Sequence, residues 1–352
     1  MYVKYGNMDR NIGLRQIRTV LFGILFTLVV LAPFSVPLAE SKSTYHGISS
    51  AGLGNSGTSQ RNTGTANSAN VLTGNNFNNT NIKVIMINFD DAWKSQIQYA
   101  KPILDKYGFK ASFFIVCNYV NSGDPSRLNW QDIATLQHDQ MDIESHTMDH
   151  KPLDKMSTNG LIYEIGGSKQ CLASHGINST IFAYPFNLGS KIPSVVNMVS
   201  HHYDFARTGT SPLMFLNCIG YPKDTQTDCR TYLNNGQLTL ANRYDIRSDS
   251  FFHISSSNNF SPSEMFQKFI QQVNSQIPYN NNDKINAIPI ITYHQLASNM
   301  LYYNSGPYPI TVQLFDQEMR YLHDNGFRVV LLNQLGFDPI NNIFYLKNMK
   351  NG

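Results

Sequence analysis

The chain has 352 residues, of which 41% are hydrophobic and 14% are charged, and this hydrophobic share is enough for a core and excludes global disorder. The formal net charge of +3 lies within residues 1–39, and the remainder carries 23 basic and 23 acidic residues. A neutral body without a Lys/Arg run lacks the electrostatic footprint of a nucleic-acid-binding protein, so we expect no nucleic-acid partner.

Residues 1–39 are typical of a secretory leader. Four cations between Lys4 and Arg18 precede the apolar run Val20–Ala32, and prolines and small residues follow. The apolar stretch approaches the ~20 residues that span a bilayer, so a cleaved signal peptide and an uncleaved membrane anchor both stay open. Either way we expect an extracytoplasmic body, because the cations stay inside.

Three further segments follow the leader. Residues 40–80 contain 27 Ser, Thr, Gly or Asn among 41, without a hydrophobic period, which predicts a flexible tether. We assign residues 81–340 to a single catalytic domain and residues 341–352 to a C-terminal tail.

Short apolar runs alternate with helix-like segments throughout the body. The predicted strands are Lys83–Phe89, Lys110–Val116, Met141–His146, Thr180–Pro185, Tyr203–Arg207, Ala287–His294 and Arg328–Leu332. The predicted helices are Lys94–Tyr107, Trp130–His138, Asp154–His175, Lys191–His201, Ser261–Gln276 and Leu314–Asn325, and residues 209–242 form an irregular stretch. This alternation predicts parallel βαβ units and one α/β domain with a closed or nearly closed barrel.

The four cysteines form no CxxC pair, which argues against a zinc knuckle or a thioredoxin-like site. Cys218 and Cys229 bracket a turn-rich loop, so an oxidising compartment would allow a disulfide between them. Cys117 ends an apolar strand and is interpreted as a buried small hydrophobic residue.

Polar residues follow several of the predicted strands, at the edge where functional residues of such folds lie. Asp90 and Asp91 follow the first strand, His146 and His150 the third, and His294 ends a late strand. If the chain turns helical after the third strand, the i, i+4 spacing puts both imidazoles on one face.

Two histidines and one carboxylate suit Zn²⁺ or a neighbouring first-row divalent ion. Adjacent carboxylates at a strand end point in opposite directions, so Asp90 and Asp91 cannot easily share one role. We expect one of them to bind the metal and the other to act as general base. His294 could then protonate the leaving group.

Four motifs resemble one family, the polysaccharide deacetylases, also called the NodB-homology or carbohydrate esterase family 4 group. Ile-Asn-Phe-Asp-Asp-Ala-Trp at 87–93 resembles the family's opening, and His-Thr-Met-Asp-His at 146–150 matches its His-Ser/Thr-x-x-His motif. Phe-Ala-Tyr-Pro-Phe at 182–186 is similar to the third motif of the poly-N-acetylglucosamine deacetylase branch, and Ile-Thr-Tyr-His at 291–294 resembles the motif of the catalytic acid.

The resemblance implies a distorted (β/α)7 barrel that acts as a monomer on an N-acetylated polysaccharide of 2-acetamido sugars. It implies a divalent metal, Zn²⁺ first, with Co²⁺, Ni²⁺ and Fe²⁺ as alternatives. The residues it implies are Asp90 as base, His294 as acid, Asp91, His146 and His150 as metal ligands, and the backbone near Tyr184, Pro185 and Phe186 as oxyanion donor.

Three positions depart from the family pattern. Ala183 stands where an Arg positions the base, and we expect Arg207 to substitute for it, with Arg243 and Arg247 as alternatives. Ala92 replaces a Gly and should fit unless the turn needs positive φ. Asn187 replaces another Gly and can adopt the left-handed conformation.

Two other functions stay open. A non-catalytic surface protein that binds glycans on the same fold would be consistent with the missing arginine and the long tether. The same metal chemistry could also act on an O-acetyl ester or another amide.

Overall fold

The computed structural model describes residues 82–209, 211–216, 243–249, 261–281, 284–298, 310–341 and 343–347. The predicted leader, tether and Cys218–Cys229 disulfide lie outside these residues. Within the described ranges, no helix has the length and apolar character needed to cross a membrane.

The described residues form alternating strands and helices. The strands are β1 Val84–Phe89, β2 Ser112–Ile115, β3 Asp142–Ser145, β4 Ile181–Ala183, β5 Phe205–Gly209, β6 Leu213–Phe215, β7 Ile246–Ser248, β8 Ala287–Tyr293, β9 Leu296–Ala297, β10 Ile310–Thr311, β11 Arg328–Val329, β12 Leu335–Asp338 and β13 Ile343–Leu346. The α-helices are α1 Lys101–Lys106, α2 Cys117–Asn121, α3 Trp130–His138, α4 Thr158–Leu161, α5 Ser168–Ser174, α6 Pro193–His202, α7 Pro262–Asn274 and α8 Val312–Asp324. Two π-helical turns, Gln96–Ala100 and Ile162–Gly167, lead into α1 and α5.

Seven parallel strands close into a barrel in the order β8-β1-β2-β3-β4-β5-β7. A parallel bridge between Asp249 and Ile291 joins β7 back to β8. At this seam the Asp249 amide donates to Ile290 O at 3.0 Å, and the Thr292 amide donates to Asp249 O at 2.8 Å. Strand β6 pairs antiparallel with β8, and β11 pairs parallel with β1. The predicted (β/α)7 barrel is therefore confirmed.

Strand β1 shows why its sequence is a continuous apolar run. Val84 and Met86 belong to the cluster that fills the barrel, whereas Ile85, Ile87 and Phe89 belong to the layer between the strands and the helices. Successive side chains of a strand point to opposite faces, and both faces are buried here. The carboxyl end of β1 is thus fixed from both sides.

Several elements differ from their predicted bounds. The predicted helix Asp154–His175 begins only at Thr158, because the Ser157 side chain caps it by accepting from the Gly160 amide. Helix α2 was not predicted, since its five residues are too few to show a period. Strand β6 lies inside the stretch that we expected to be irregular.

Cys117 lies in the buried core, as expected, but it is not a free cysteine. Cys117 is fully buried but forms a disulfide with Cys171, 54 positions along the chain. The bond joins the start of α2 to α5, and these segments become neighbours only through the barrel topology. Sequence spacing therefore contained no signal for this pairing.

Candidate metal centre and active site

The acidic pair lies in a sharp turn directly after β1. The Asp90 amide donates to Tyr293 O at 2.9 Å, which continues the pairing with β8. Asp91 and Ala92 then adopt φ of 71° and 53°. This turn has the positive φ at which we expected alanine to fit less readily than glycine, and it also brings both carboxylates toward His146 rather than to opposite sides. Asp90 Oδ2 lies 3.9 Å and Asp91 Oδ1 3.6 Å from His146 Nε2.

The segment that carries His146 and His150 is an irregular turn, so the helix under which the i, i+4 spacing would put both imidazoles on one face is not present. Thr147 and His150 have φ of 74° and 58°. The buried carboxylate of Glu164 accepts from the Met148 amide at 3.1 Å and from the Asp149 amide at 2.9 Å. Glu164 thus holds the turn in a shape that directs both imidazoles toward Asp91.

Asp91, His146 and His150 form a cluster whose possible ligand atoms all lie within 4.8 Å of one another. Asp91 Oδ1 is 3.6 Å from His146 Nε2 and 3.3 Å from His150 Nε2. The two imidazole rings meet edge to face, with centroids 4.7 Å apart. The sequence assigned these three residues to one site, and the fold brings them together.

The donor atoms of the cluster fit a divalent cation. His146 Nδ1 is 2.9 Å from Ala183 O, and since a carbonyl only accepts, Nδ1 carries a hydrogen and Nε2 is the nitrogen that faces Asp91. Burial, with His146 nearby, lowers the pKa of His150 to about 4, so its imidazole is neutral at physiological pH. Asp91 Oδ1 is buried and accepts no hydrogen bond. Two imidazole nitrogens and one carboxylate oxygen are a ligand set that Zn²⁺ prefers.

Asp90 is paired with Arg207. Arg207 Nη2 donates to Asp90 Oδ1, Nη1 donates to Ser248 Oγ at 3.3 Å, and the guanidinium lies 4.3 Å from the ring centroid of Phe114. Burial opposes ionisation of Asp90, but the charges of Arg207, His146 and His294 outweigh it and hold the pKa of Asp90 at about 2. Asp90 is therefore a carboxylate over the whole physiological range.

Arg207 occupies the position that we expected to compensate for Ala183. The two residues are direct register partners on β4 and β5, so the arginine enters the barrel from the neighbouring strand at the same level. The other two candidates lie elsewhere. Arg243 stacks against Tyr244 and Phe337, and Arg247 alternates with the inward-facing Ser248 and so points out of the barrel.

His294 follows β8 and is half-buried beside the acidic pair. Its charge is among those that lower the pKa values of Asp90 and His150, so it belongs to the same electrostatic site. Gln96 ties the two strand ends together, because its Nε2 donates to Asp90 O at 2.6 Å and to His294 O at 3.0 Å.

The segment Tyr184–Phe186 reaches the site only in part. Tyr184 is buried, with its ring 5.3 Å from that of Phe182, so it does not face a substrate. Phe186 is 58% exposed, has φ of 54°, and places its ring 4.6 Å from His150. Asn187 has φ of 60°, which confirms the expected left-handed conformation, and its Oδ1 accepts from the Gly209 amide at 2.6 Å.

Three residues that support the site were not predicted: Gln96, Glu164 and Arg127. Gln96 and Glu164 lie in the two π-helical turns. Arg127 Nη1 donates to the main-chain oxygen of Asp91 at 2.7 Å. All three side chains contact backbone atoms, and such contacts leave no pattern in the sequence, so residue spacing could not have identified these three residues.

Comparison with known proteins agrees with this geometry. Residues 77–199 match the polysaccharide deacetylase family model. The matched segment contains both carboxylates and both metal-site histidines, whereas Arg207 and His294 lie beyond it.

Two curated relatives align with part of the chain. YxkH of Bacillus subtilis (strain 168), which is named as a polysaccharide deacetylase, is 31% identical over 104 residues, which are 29% of this chain and 37% of that protein. A gellan lyase of a Bacillus species is 28% identical over 158 residues, which are 44% of this chain and 5% of that protein. The chain therefore spans well under half the length of either relative.

Two solved structures are similar at low scores. The Streptococcus pyogenes deacetylase PplD, in complex with acetate, is 18% identical with a TM-score of 0.40, and the match covers 52% of this chain and 69% of that chain. The Xyl-CE4 domain of a multidomain xylanase from the hindgut metagenome of Trinervitermes trinervoides is 18% identical with a TM-score of 0.42, over 72% and 89% of the two chains.

Proposed function

We propose that this chain, a member of the polysaccharide deacetylase family, is a metal-dependent enzyme that removes N-acetyl groups from a polymer of 2-acetamido sugars and releases acetate. One observation carries the proposal. One site joins two imidazole nitrogens and a carboxylate oxygen that accepts no hydrogen bond with a second carboxylate that is held by an arginine.

The residues divide the reaction among them. A bound divalent cation, Zn²⁺ first, supplies Lewis-acid polarisation of the acetamide carbonyl and a water of lowered pKa. Asp91, His146 and His150 would hold it. Asp90 accepts a proton from the water as the water oxygen bonds to the acetamide carbonyl carbon, and the C–N bond then breaks as His294 gives a proton to the leaving amine, which frees acetate. The peptide N–H of Phe186 would donate to the developing oxyanion, because Pro185 has no N–H and the Tyr184 amide donates to Arg207 O.

The charge of the body and the exposed surface beside the site support an uncharged glycan as the substrate. The neutral body offers no attraction to a charged polymer, and an uncharged glycan needs none. The exposed ring of Phe186 beside His150 offers an apolar face against which a sugar ring can stack. We further propose that the enzyme acts outside the cytoplasm, secreted or held at the membrane by residues 1–39.

Two variants test the division between metal binding and proton transfer. Asp90→Asn should lower acetate release by about 10²–10⁴-fold while the bound metal, measured by elemental analysis, stays at the wild-type level. His146→Ala should lose both metal and activity. Full activity of Asp90→Asn would contradict the proposal.

The substrate class is tested on a panel of chitooligosaccharides, poly-N-acetylglucosamine and acetylxylan. We expect acetate from the first two. Acetate from acetylxylan alone would favour an O-acetyl esterase instead. Binding of the N-acetylated oligosaccharides without acetate release, by protein loaded with metal, would favour a non-catalytic glycan-binding protein.

A further inference from the structure

Arg127 lies between two aromatic rings next to the metal cluster. Its guanidinium carbon is 3.5 Å from the ring centroid of Trp93 and 4.1 Å from that of Tyr119. Such close stacking on both faces restricts the guanidinium to one plane. Trp93 is buried, and Arg127 and Tyr119 are partly buried, so the stack forms a wall of the site.

This stack holds Asp91 at two points. Arg127 Nη1 donates to Asp91 O at 2.7 Å, and Trp93 Nε1 donates to Asp91 Oδ2 at 3.4 Å. The main-chain oxygen and one carboxylate oxygen are thereby occupied. Only Asp91 Oδ1 is left without a hydrogen bond, and it is this oxygen that lies near both histidines.

The backbone of Asp91 needs such support. Asp91 and Ala92 both have positive φ, which costs a non-glycine residue free energy and persists only when its surroundings impose it. Around Arg127 the chain forms a short ladder with this turn. The Leu128 amide donates to Ala92 O at 2.7 Å, the Lys94 amide donates to Ser126 O at 2.8 Å, and Trp93 bridges Arg127 in antiparallel fashion.

The same stack also contacts His150, the second proposed metal ligand. The ring of Tyr119 lies 6.1 Å from that of His150. The planar groups therefore form a row in the order Trp93, Arg127, Tyr119, His150. Asp91 touches one end of the row through Trp93, and His150 lies at the other end. Arg127 lies in the middle of this row.

We propose that Arg127 is a positioning residue of the metal centre, which acts by fixing the main chain of Asp91 and the stack of Trp93 and Tyr119 so that Asp91 Oδ1 faces His146 and His150. The inference rests on the proposed metal-dependent function. Neighbouring groups of this kind orient the ligands that touch a metal, and their loss commonly costs about 10–100-fold in metal affinity.

The test uses Co²⁺ as the probe, since its visible absorption reports the coordination geometry as well as the affinity. Metal-free full-length protein is titrated with Co²⁺ in the wild type, Arg127→Gln, Arg127→Lys and Arg320→Gln. Arg320 is exposed on α8 and serves as the matched control. Metal-free unfolding midpoints of all four proteins are measured in urea.

We expect Arg127→Gln to bind Co²⁺ at least tenfold more weakly than the wild type, with an altered spectrum. Arg127→Lys should recover only part of the affinity, because it keeps the charge but not the planar fork. Arg320→Gln should bind like the wild type. Binding of Arg127→Gln within twofold of the wild type, with an unchanged spectrum, would overturn the positioning role while leaving the metal-dependent function intact.

Tyr119→Leu provides a second measurement should Arg127→Gln fail to fold. It removes the ring that stacks on Arg127 and faces His150, so a changed Co²⁺ spectrum is expected and an unchanged one would overturn the proposal. Failure of the wild type itself to bind Co²⁺ would overturn both the positioning role and the proposed function.

Discussion

Arg207 and Asp90 form a buried ion pair inside the barrel. Their side chains are 4% and 7% exposed, so each charge is removed from water and is compensated mainly by the other. A buried ion pair adds little compared with apolar residues of similar size, but loss of one partner leaves an uncompensated charge. The two residues should therefore behave as a unit.

We predict that Arg207→Leu lowers the free energy of unfolding by about 3–5 kcal/mol. Adding Asp90→Asn to Arg207→Leu should restore a large part of this loss, since the remaining partner is then neutral. Urea unfolding of the two single variants and the double variant measures the coupling.

The exposed Arg320→Leu is the control for this cycle and should change stability by no more than about 0.5 kcal/mol. Purely additive losses in the Arg207→Leu, Asp90→Asn pair would show that the two charges do not depend on each other.

The grouping of Asp91, His146 and His150 could be predicted from residue types, but the backbone that brings them together could not. Asp91, His146 and His150 were recognisable because ligand types and strand ends are visible in the sequence. The positive φ of Ala92 was not, because alanine gives no sign that a turn requires the left-handed conformation. The irregular turn at His146–His150 was missed for a related reason, since Glu164 shapes it through peptide groups alone.

At the scale of elements, helix α8 packs on strand β8 through a buried polar contact. Tyr293 Oη donates to Glu318 Oε2 at 2.7 Å, and Glu318 is completely buried. Burial raises the pKa of Glu318 to about 8, although the bond from Tyr293 opposes the shift. Glu318 is therefore protonated in the folded protein at neutral pH and ionised in the unfolded chain.

We predict that burial of the Glu318 carboxyl makes the free energy of unfolding fall as the pH rises. The contribution is fully present below the unfolded pKa of about 4.5 and is lost as the pH approaches about 8. One proton released on unfolding corresponds to a slope of at most about 1.4 kcal/mol per pH unit. Glu318→Gln keeps a group for Tyr293 and should flatten the slope, as measured by urea unfolding at pH 5, 6, 7 and 8.

Asp316→Asn, on the same helix but partly exposed and paired with Lys106, is the control and should keep the slope of the wild type. A slope that is the same in Glu318→Gln and in the wild type would show that Glu318 already ionises in the folded protein.

The bounds of a helix or strand could be predicted where its burial gives the sequence a regular hydrophobic pattern. Helix α3 matches its predicted bounds, because Asn129 and Asp132 form a capping box at its start and Ile133 and Leu136 are its buried positions. Strands β6 and β7 have three residues each and gain their place from pairing with β8 and β5 rather than from their own sequence. Their register is a property of the closed barrel.

At the scale of the whole molecule, the metal cluster joins parts of the barrel that are not adjacent. Asp91 follows β1, whereas His146 and His150 follow β3, and β2 lies between these strands. The unfolded chain has no preformed site, because 54 residues separate Asp91 from His146 in sequence. A ligand of this cluster should therefore favour the folded state of the entire barrel.

We predict that Zn²⁺ at about 100 times its dissociation constant raises the free energy of unfolding by about 2.7 kcal/mol, since only the folded state binds it tightly. The rise is measured as the difference between urea unfolding with Zn²⁺ and with a chelator. His150→Ala should lose it, because one of three ligands is gone. His323→Ala, which removes an exposed histidine on α8, should keep it. An equal rise in His150→Ala would mean that Zn²⁺ stabilises the barrel from another site, and no rise in the wild type would contradict metal binding by Asp91, His146 and His150.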